Sequence, residues 1–263
     1  MPEVRVGLIG AGNLAWNLAG ALRGTPFRIV QVLSRTAAHA AALAQEWGIP
    51  HHSNAPQDLL PDLDLVIVSS TDHAIAEIAA AHAPYRGPHT AFVHTSGAAP
   101  MALLAPLGVR IGVLYPLQTF TRGHLADFGP VPIFLEGSAD VQALTEPLAR
   151  QLSHKVQQLD SAGRLQLHLG AVFASNFANL MWILAEETLA DLPGLDSSIY
   201  AALVRENAIK AFQIGPKAAQ TGPAKRGDEA TMLKHLALLA DQDPEKEQLY
   251  LTLSKMIRAR FQD

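Results

Sequence analysis

Apolar positions follow two rhythms along the chain. Up to residue 158, short continuous apolar runs alternate with stretches of helical spacing; past residue 160 only helical spacing remains. The stretches 4–9, 27–33, 64–69, 90–94, 110–114, 131–136 and 155–158 predict strands, and the continuous apolar run at 64–69 suits a strand buried on both faces. Helical spacing lies between them at 16–22, 37–47, 74–83, 101–107 and 139–151, with one helical turn at 56–60. That alternation predicts an α/β fold with a mostly parallel, doubly wound sheet and helices on both faces. Residues 164–192 carry no strand signal and no proline, enough for about eight turns of helix. Helical patterning continues to residue 261, broken at Gly215-Pro216, Thr221-Gly222-Pro223, Gly227-Asp228 and Asp243-Pro244. The expected division is a nucleotide-binding domain over 1–160 and an all-helical domain over 161–263 that completes a cleft with the first and serves substrate binding and dimerisation.

Between the first strand and the first helix stands Gly10-Ala11-Gly12-Asn13-Leu14-Ala15, a G-x-G-x-x-A in the strand–turn–helix context of a Rossmann βαβ unit. Gly10 permits the tight turn, Gly12 lets the backbone approach a pyrophosphate at the helix N-terminus, and Ala15 lets helix and strand pack closely. The second strand ends in Ser34-Arg35-Thr36, with no carboxylate before Glu46. A carboxylate there would hold the adenine ribose 2′-hydroxyl of NAD. A guanidinium fork flanked by hydroxyls suits the 2′-phosphate of NADP(H) instead. Ser69, Ser70 and Thr71 end the 64–69 strand, at the edge where such sheets bind ligands.

Composition narrows the partners. A formal net charge of −4 speaks against nucleic acid or an anionic membrane surface. The chain contains no cysteine, which removes disulfides, thiolate metal sites and cysteine nucleophiles. It opens with no basic segment followed by an apolar one, and no continuous apolar run reaches the ~18 residues of a membrane span. The expectation is a cytoplasmic protein acting on a small molecule.

The long helix is apolar around most of its circumference, from Leu165 to Leu184, so it is expected to be buried between domains or between subunits. At ~100° per residue, His168, Ser175, Asn179 and Glu186 share one stripe with Asn176 beside it. The stripe is either an interhelical hydrogen-bond network or a site. His94 and Ser96 end the 90–94 strand; they serve either a turn or a reaction that needs a proton near neutral pH. Gln118 and Thr119 share that ambiguity, and the basic, glycine-rich segment 221–228 is either an anion site or an exposed loop. The eleven histidines form no metal-binding spacing, and no G-x-S-x-G elbow is present.

Four segments in order, Gly7 to Ala15, His94-Thr95-Ser96-Gly97, Pro116 to Phe120, and Val172 to Phe177 together with Thr221 to Asp228, resemble the Rossmann-like proteins with a DUF2520 C-terminal domain. That family is related to β-hydroxyacid dehydrogenases, pyrroline-5-carboxylate reductase, ketopantoate reductase and F420-dependent NADP reductases. The resemblance covers essentially the whole chain. It implies an NADP(H)-binding Rossmann domain, a helical domain that forms homodimers, and oxidoreductase activity. Two positions depart from the pattern. Tyr115 stands where the family often has histidine. The β-hydroxyacid dehydrogenases place a catalytic lysine one turn before an asparagine of the long helix; here Val172 is one turn before Asn176, and 164–192 contains no lysine. The proton-donor role is therefore expected of His168, two turns before Asn176, with Asn176, Ser96 and His94 as further groups able to donate to a carbonyl or imine. The leading reading is an NADPH-dependent reductase. The alternatives are a non-catalytic NADP(H)-binding sensor, and an enzyme in which F420 gives hydride to NADP⁺.

Overall fold

The computed structural model describes residues 3–240 and 243–261. Eight strands form one sheet in the order β3-β2-β1-β4-β5-β6-β7-β8. They are β1 (Val4–Ile9), β2 (Phe27–Leu33), β3 (His51–Ser53), β4 (Leu65–Val68), β5 (Ala91–His94), β6 (Ile111–Pro116), β7 (Ile133–Gly137) and β8 (Val156–Gln158). All neighbours are parallel except β6 and β7. Seven strands fall at the stretches predicted as strands. The eighth, β3, has the sequence His-His-Ser and no apolar run; register with Gln31, Val32 and Leu33 of β2 makes it a strand.

Successive residues of the central strands feed two cores, because strand side chains alternate between faces. Leu65 and Ile67 join Val6 and Leu8 in one cluster, roofed by α1 (Asn13–Ala21), α2 (Ala37–Trp47) and α4 (Ala139–Leu152). Val66, Val68 and Ile9 join the other, under α3 (Ile75–His82) and the 3-10 segment Met101–Leu107. The helical spacing of that segment takes the 3-10 form, since Pro106 inside it lacks the N–H an α-helical turn needs.

The chain divides into two compact units, Met1–Ala174 and Ser175–Asp263, whereas the sequence reading placed the division near Asp160. The helix expected over 164–192 runs from Ser161 to Glu187 and is not uniform. It comprises α5 (Ser161–Ala171), a π-helical stretch (Val172–Asn176) and α6 (Phe177–Glu187). The wider π turn re-aims every later side chain, so the stripe from His168 through Glu186 is not one straight row. One 18-residue window of this helix has mean hydropathy 1.4, so by length and composition alone the helix is long and apolar enough to cross a membrane, although no continuous apolar run does so.

In the single chain Leu165, Leu169, Leu180 and Ile183 of the long helix are all exposed. The second unit continues with α7 (Ala201–Ile214), α8 (Pro216–Ala219), α9 (Pro223–Arg226), α10 (Glu229–Ala240) and α11 (Pro244–Phe261). Its buried apolar residues among those described are Leu189, Ala219, Ala224 and Met232. Polar ties hold its surface, including Lys246 to Glu187 at 2.8 Å and His235 to Tyr250 at 2.9 Å.

Candidate functional site

A cleft of about 900 Å³ opens at the carboxyl ends of β1, β2, β4, β5 and β6. Its middle lies between β1 and β4, where the strand order reverses, the position at which doubly wound sheets take ligands. Everything that lines it belongs to the first unit.

The glycine turn forms one wall. Gly10 has φ +112°, and a β-carbon there would fall 1.9 Å from the Ser69 carbonyl oxygen, so backbone meets backbone and only glycine fits. Gly12 differs. Its φ is −82°, and a β-carbon there would meet no protein atom within 4 Å. Neither conformation nor packing requires glycine at position 12; space toward a ligand does. Gly12 is also the N-cap of α1, with no side-chain cap and no acidic residue in the first turn. The first N–H groups of α1 at Asn13 and Leu14 therefore face the cleft with the positive end of the helix behind them. Ala15 is fully buried against the sheet. These features fit a pyrophosphate, and so fit the dinucleotide expected from the motif.

At the end of β2 the cleft is lined by Ser34, Arg35 and Thr36, with His39 one turn into α2. Thr36 caps α2 without a side-chain hydrogen bond, and α2 has no acidic residue in its first turn. The hydroxyl, the guanidinium and the helix N-terminus are all available to an anion. Ser69, Ser70 and Thr71 line the floor beyond β4.

The far end is built from Ser96, Gly97, Tyr115, Gln118 and His168. Tyr115 closes β6 and His168 lies on α5, 53 residues later; its Nδ1 is 3.1 Å from the Tyr115 hydroxyl, with the rings edge to face. Burial raises the Tyr115 pKa, so the phenol stays protonated. Arg164, one turn before His168, is 1 % exposed. Its Nε donates to the Ser96 carbonyl at 3.1 Å, its Nη2 donates to the Ala99 carbonyl, and its Nη1 pairs with Glu136 of β7. Ser161 donates to the same carboxylate. One buried guanidinium thus ties the loop after β5, the end of β7 and the start of α5 together. The Ser96 hydroxyl accepts from the Ala98 and Ala99 N–H groups and shapes the same loop.

Two expected groups stand elsewhere. His94 is fully buried and does not line the cleft. Its Nδ1 accepts from the Ser96 N–H at 3.2 Å, and Nε2 feels the Pro100 carbonyl without a hydrogen bond of ordinary geometry. Burial, reinforced by the Arg164 charge, lowers its pKa to about 4. A neutral, sealed imidazole cannot exchange a proton with a substrate near neutral pH, which corrects the expectation for His94. Asn176 is exposed and, with Ser175, Asn179 and Glu186, belongs to the second unit. In segment 221–228, Lys225 donates to the Gln220 carbonyl and lies over the Phe261 ring, and Asp228 caps α10 through Thr231. Among the described residues, no cluster of His, Cys, Asp or Glu could hold a metal.

Arg164 is the group that sequence reasoning passed over, and Tyr115 was noted there only as a departure from the family pattern. A charged residue four positions before His168 on an otherwise apolar helix is the signal that marks Arg164.

Comparison with known proteins agrees with this geometry. Residues 4–90 match the oxidoreductase family with an NAD-binding Rossmann fold, and residues 131–257 match the domain of unknown function DUF2520. No curated protein matches. Among solved structures, a provisionally assigned NADP oxidoreductase from Bacteroides fragilis is 40% identical, with 98% of each chain covered and a TM-score of 0.89. A protein from Thermotoga maritima is 22% identical over 97% of each chain, with a TM-score of 0.72. A reductive aminase from Aspergillus terreus, solved with NADPH and ethyl-5-oxohexanoate, is 17% identical over 98% of this chain and 93% of its own, with a TM-score of 0.68. The last two share the fold.

Proposed function

Because the chain belongs to the family of Rossmann-type proteins that carry a DUF2520 domain, we propose that it is an NADP(H)-dependent oxidoreductase that reduces a small carbonyl or imine compound. The observation that carries this reading is the open space at Gly12 before the uncapped N-terminus of α1, at the switch point of the sheet. Asn13 and Leu14 would hold the pyrophosphate through their N–H groups, and Ser34, Arg35 and Thr36 the 2′-phosphate. Bound NADPH supplies the hydride. The protein's share is to orient the acceptor and to provide a proton at its oxygen or nitrogen, a task that falls to His168 at the far end of the cleft.

Titration of the purified protein with NADPH and NADH, followed by nicotinamide fluorescence, tests the cofactor assignment. NADPH binds at least ~10-fold tighter, about 1.4 kcal/mol, and Arg35→Ala erases the gap. Equal affinity for NADH refutes the role of Arg35. Failure of both to bind leaves the glycine turn a packing feature and sinks the oxidoreductase reading.

The second unit is proposed to pair with a second copy. An 89-residue helical region (175–263) with four buried apolar residues among those described, and with Leu180, Trp182, Ile183, Leu203, Ile209 and Leu233 exposed, does not make a core of its own. Light scattering at micromolar concentration gives twice the 28.1 kDa chain mass; a monomer refutes the pairing.

A further inference from the structure

We infer that Tyr115 and His168 act as one proton-delivering couple, with the Tyr115 hydroxyl holding Nδ1 so that Nε2 is the atom that serves the acceptor. This rests on the reductase reading above and assigns Tyr115 as the positioning residue.

Three independent features converge on the pair. The first is the 3.1 Å contact between the phenol oxygen and Nδ1. The second is Gly97, which has no special backbone angle. A β-carbon there would fall 2.6 Å from His168 Nδ1 and 2.8 Å from the Tyr115 hydroxyl. A side chain at position 97 would therefore have to push the couple aside, and the loop backbone packs directly against the junction of the two groups. The third is Arg164. It fixes the Ser96 carbonyl beside Gly97 and plants the turn of α5 from which His168 projects. Such a tightly braced contact between two proton-bearing groups, at the wall of a cleft that both line, is more than packing demands.

The chemistry balances with the phenol as a spectator in charge. The imidazolium donates Nδ1–H to the Tyr115 oxygen and presents Nε2–H to the carbonyl oxygen or imine nitrogen. With NADPH as the hydride donor for the new C–H bond, the Nε2 proton would pass to that oxygen or nitrogen as the C=O or C=N π bond breaks. Neutral imidazole remains, still held through Nδ1–H, and regains its proton from water. Tyr115 never becomes a phenolate, which burial would oppose. The charged groups that act on the Tyr115 hydroxyl are Arg164 and Asp72, of opposite sign.

The test needs no known substrate for its first readout. ¹⁵N-histidine spectra of the full chain, with and without NADPH, are recorded for the native protein, Tyr115→Phe and His168→Gln, the last identifying the His168 signals. In the native protein neutral His168 carries its proton on Nδ1. Tyr115→Phe returns it to the Nε2–H form usual for free histidine. The same tautomer in both proteins overturns the inference.

The second readout is NADPH oxidation over a panel of carbonyls and imines. Tyr115→Phe lowers kcat ~10-fold or more with KM nearly unchanged, His168→Gln lowers it ~100-fold, and the double variant is no worse than His168→Gln, as for groups acting in one unit. Native kcat in Tyr115→Phe overturns proton delivery. Absence of NADPH binding overturns the reductase reading, and proton delivery with it. A locked His168 tautomer in that case leaves only the hydrogen-bonded pair standing.

Discussion

The two ends of the cleft are made of different material. The nucleotide end is backbone: Gly10 pressed on the Ser69 carbonyl, Gly12 open, and the uncapped starts of α1 and α2. The far end is side chains resting on one another, with Arg164 on Glu136 and on the Ser96 and Ala99 carbonyls, and Tyr115 on His168. A backbone site depends on what a few residues lack. A side-chain site depends on what distant residues bring, and it holds only while a buried charge keeps its partner. The first therefore tolerates change almost everywhere except at its glycines, whereas the second fails as a network.

The largest effect is expected at the far end. Arg164→Met leaves the Glu136 carboxylate without its charged partner, held by Ser161 alone, and two loop carbonyls without their donor, and costs about 3–5 kcal/mol by urea denaturation. A loss under ~1 kcal/mol breaks the distinction drawn between the two ends.

Gly10→Ala comes next, at about 3 kcal/mol, because the added methyl meets the Ser69 oxygen at a positive φ. Retention of the native melting temperature removes the steric argument.

His94 tests the far end through pH. Its folded pKa of about 4 lies below the ordinary value of 6.5, so folding is favoured fully above pH 6.5. That contribution is lost as pH falls toward 4, because the unfolded chain takes up the proton first. The loss approaches about 3 kcal/mol by pH 4. His94→Gln flattens this limb of the stability–pH curve; an unchanged limb assigns it to other groups, His82 first, whose pKa burial also lowers.

Gly12→Ala is the mildest and sharpens the comparison most. The variant melts within a few degrees of the native protein, since its β-carbon meets nothing, yet binds NADPH ~10-fold or more weakly, about 1.4 kcal/mol. Loss of stability in place of affinity reverses the roles assigned to the two glycines.

What the sequence by itself determined is the part governed by local rules. Continuous apolar runs such as Leu65–Val68 marked the central strands because these are buried on both faces. The spacing of Gly10, Gly12 and Ala15 marked the turn because those positions need the absence of side chains, and absence is visible in sequence. Tertiary structure alone decided the rest. β3 is a strand because β2 pairs with it. The π turn at Val172–Asn176 leaves no mark in composition and redirects what the helix carries. His94 and His168 looked alike as polar residues among apolar ones, but burial seals the first and the cleft admits the second. Tyr115, Gly97, Arg164 and Glu136 meet across gaps of up to 67 residues. Such a contact is set by how β6, β7 and α5 lie together, and nothing local in the chain encodes it.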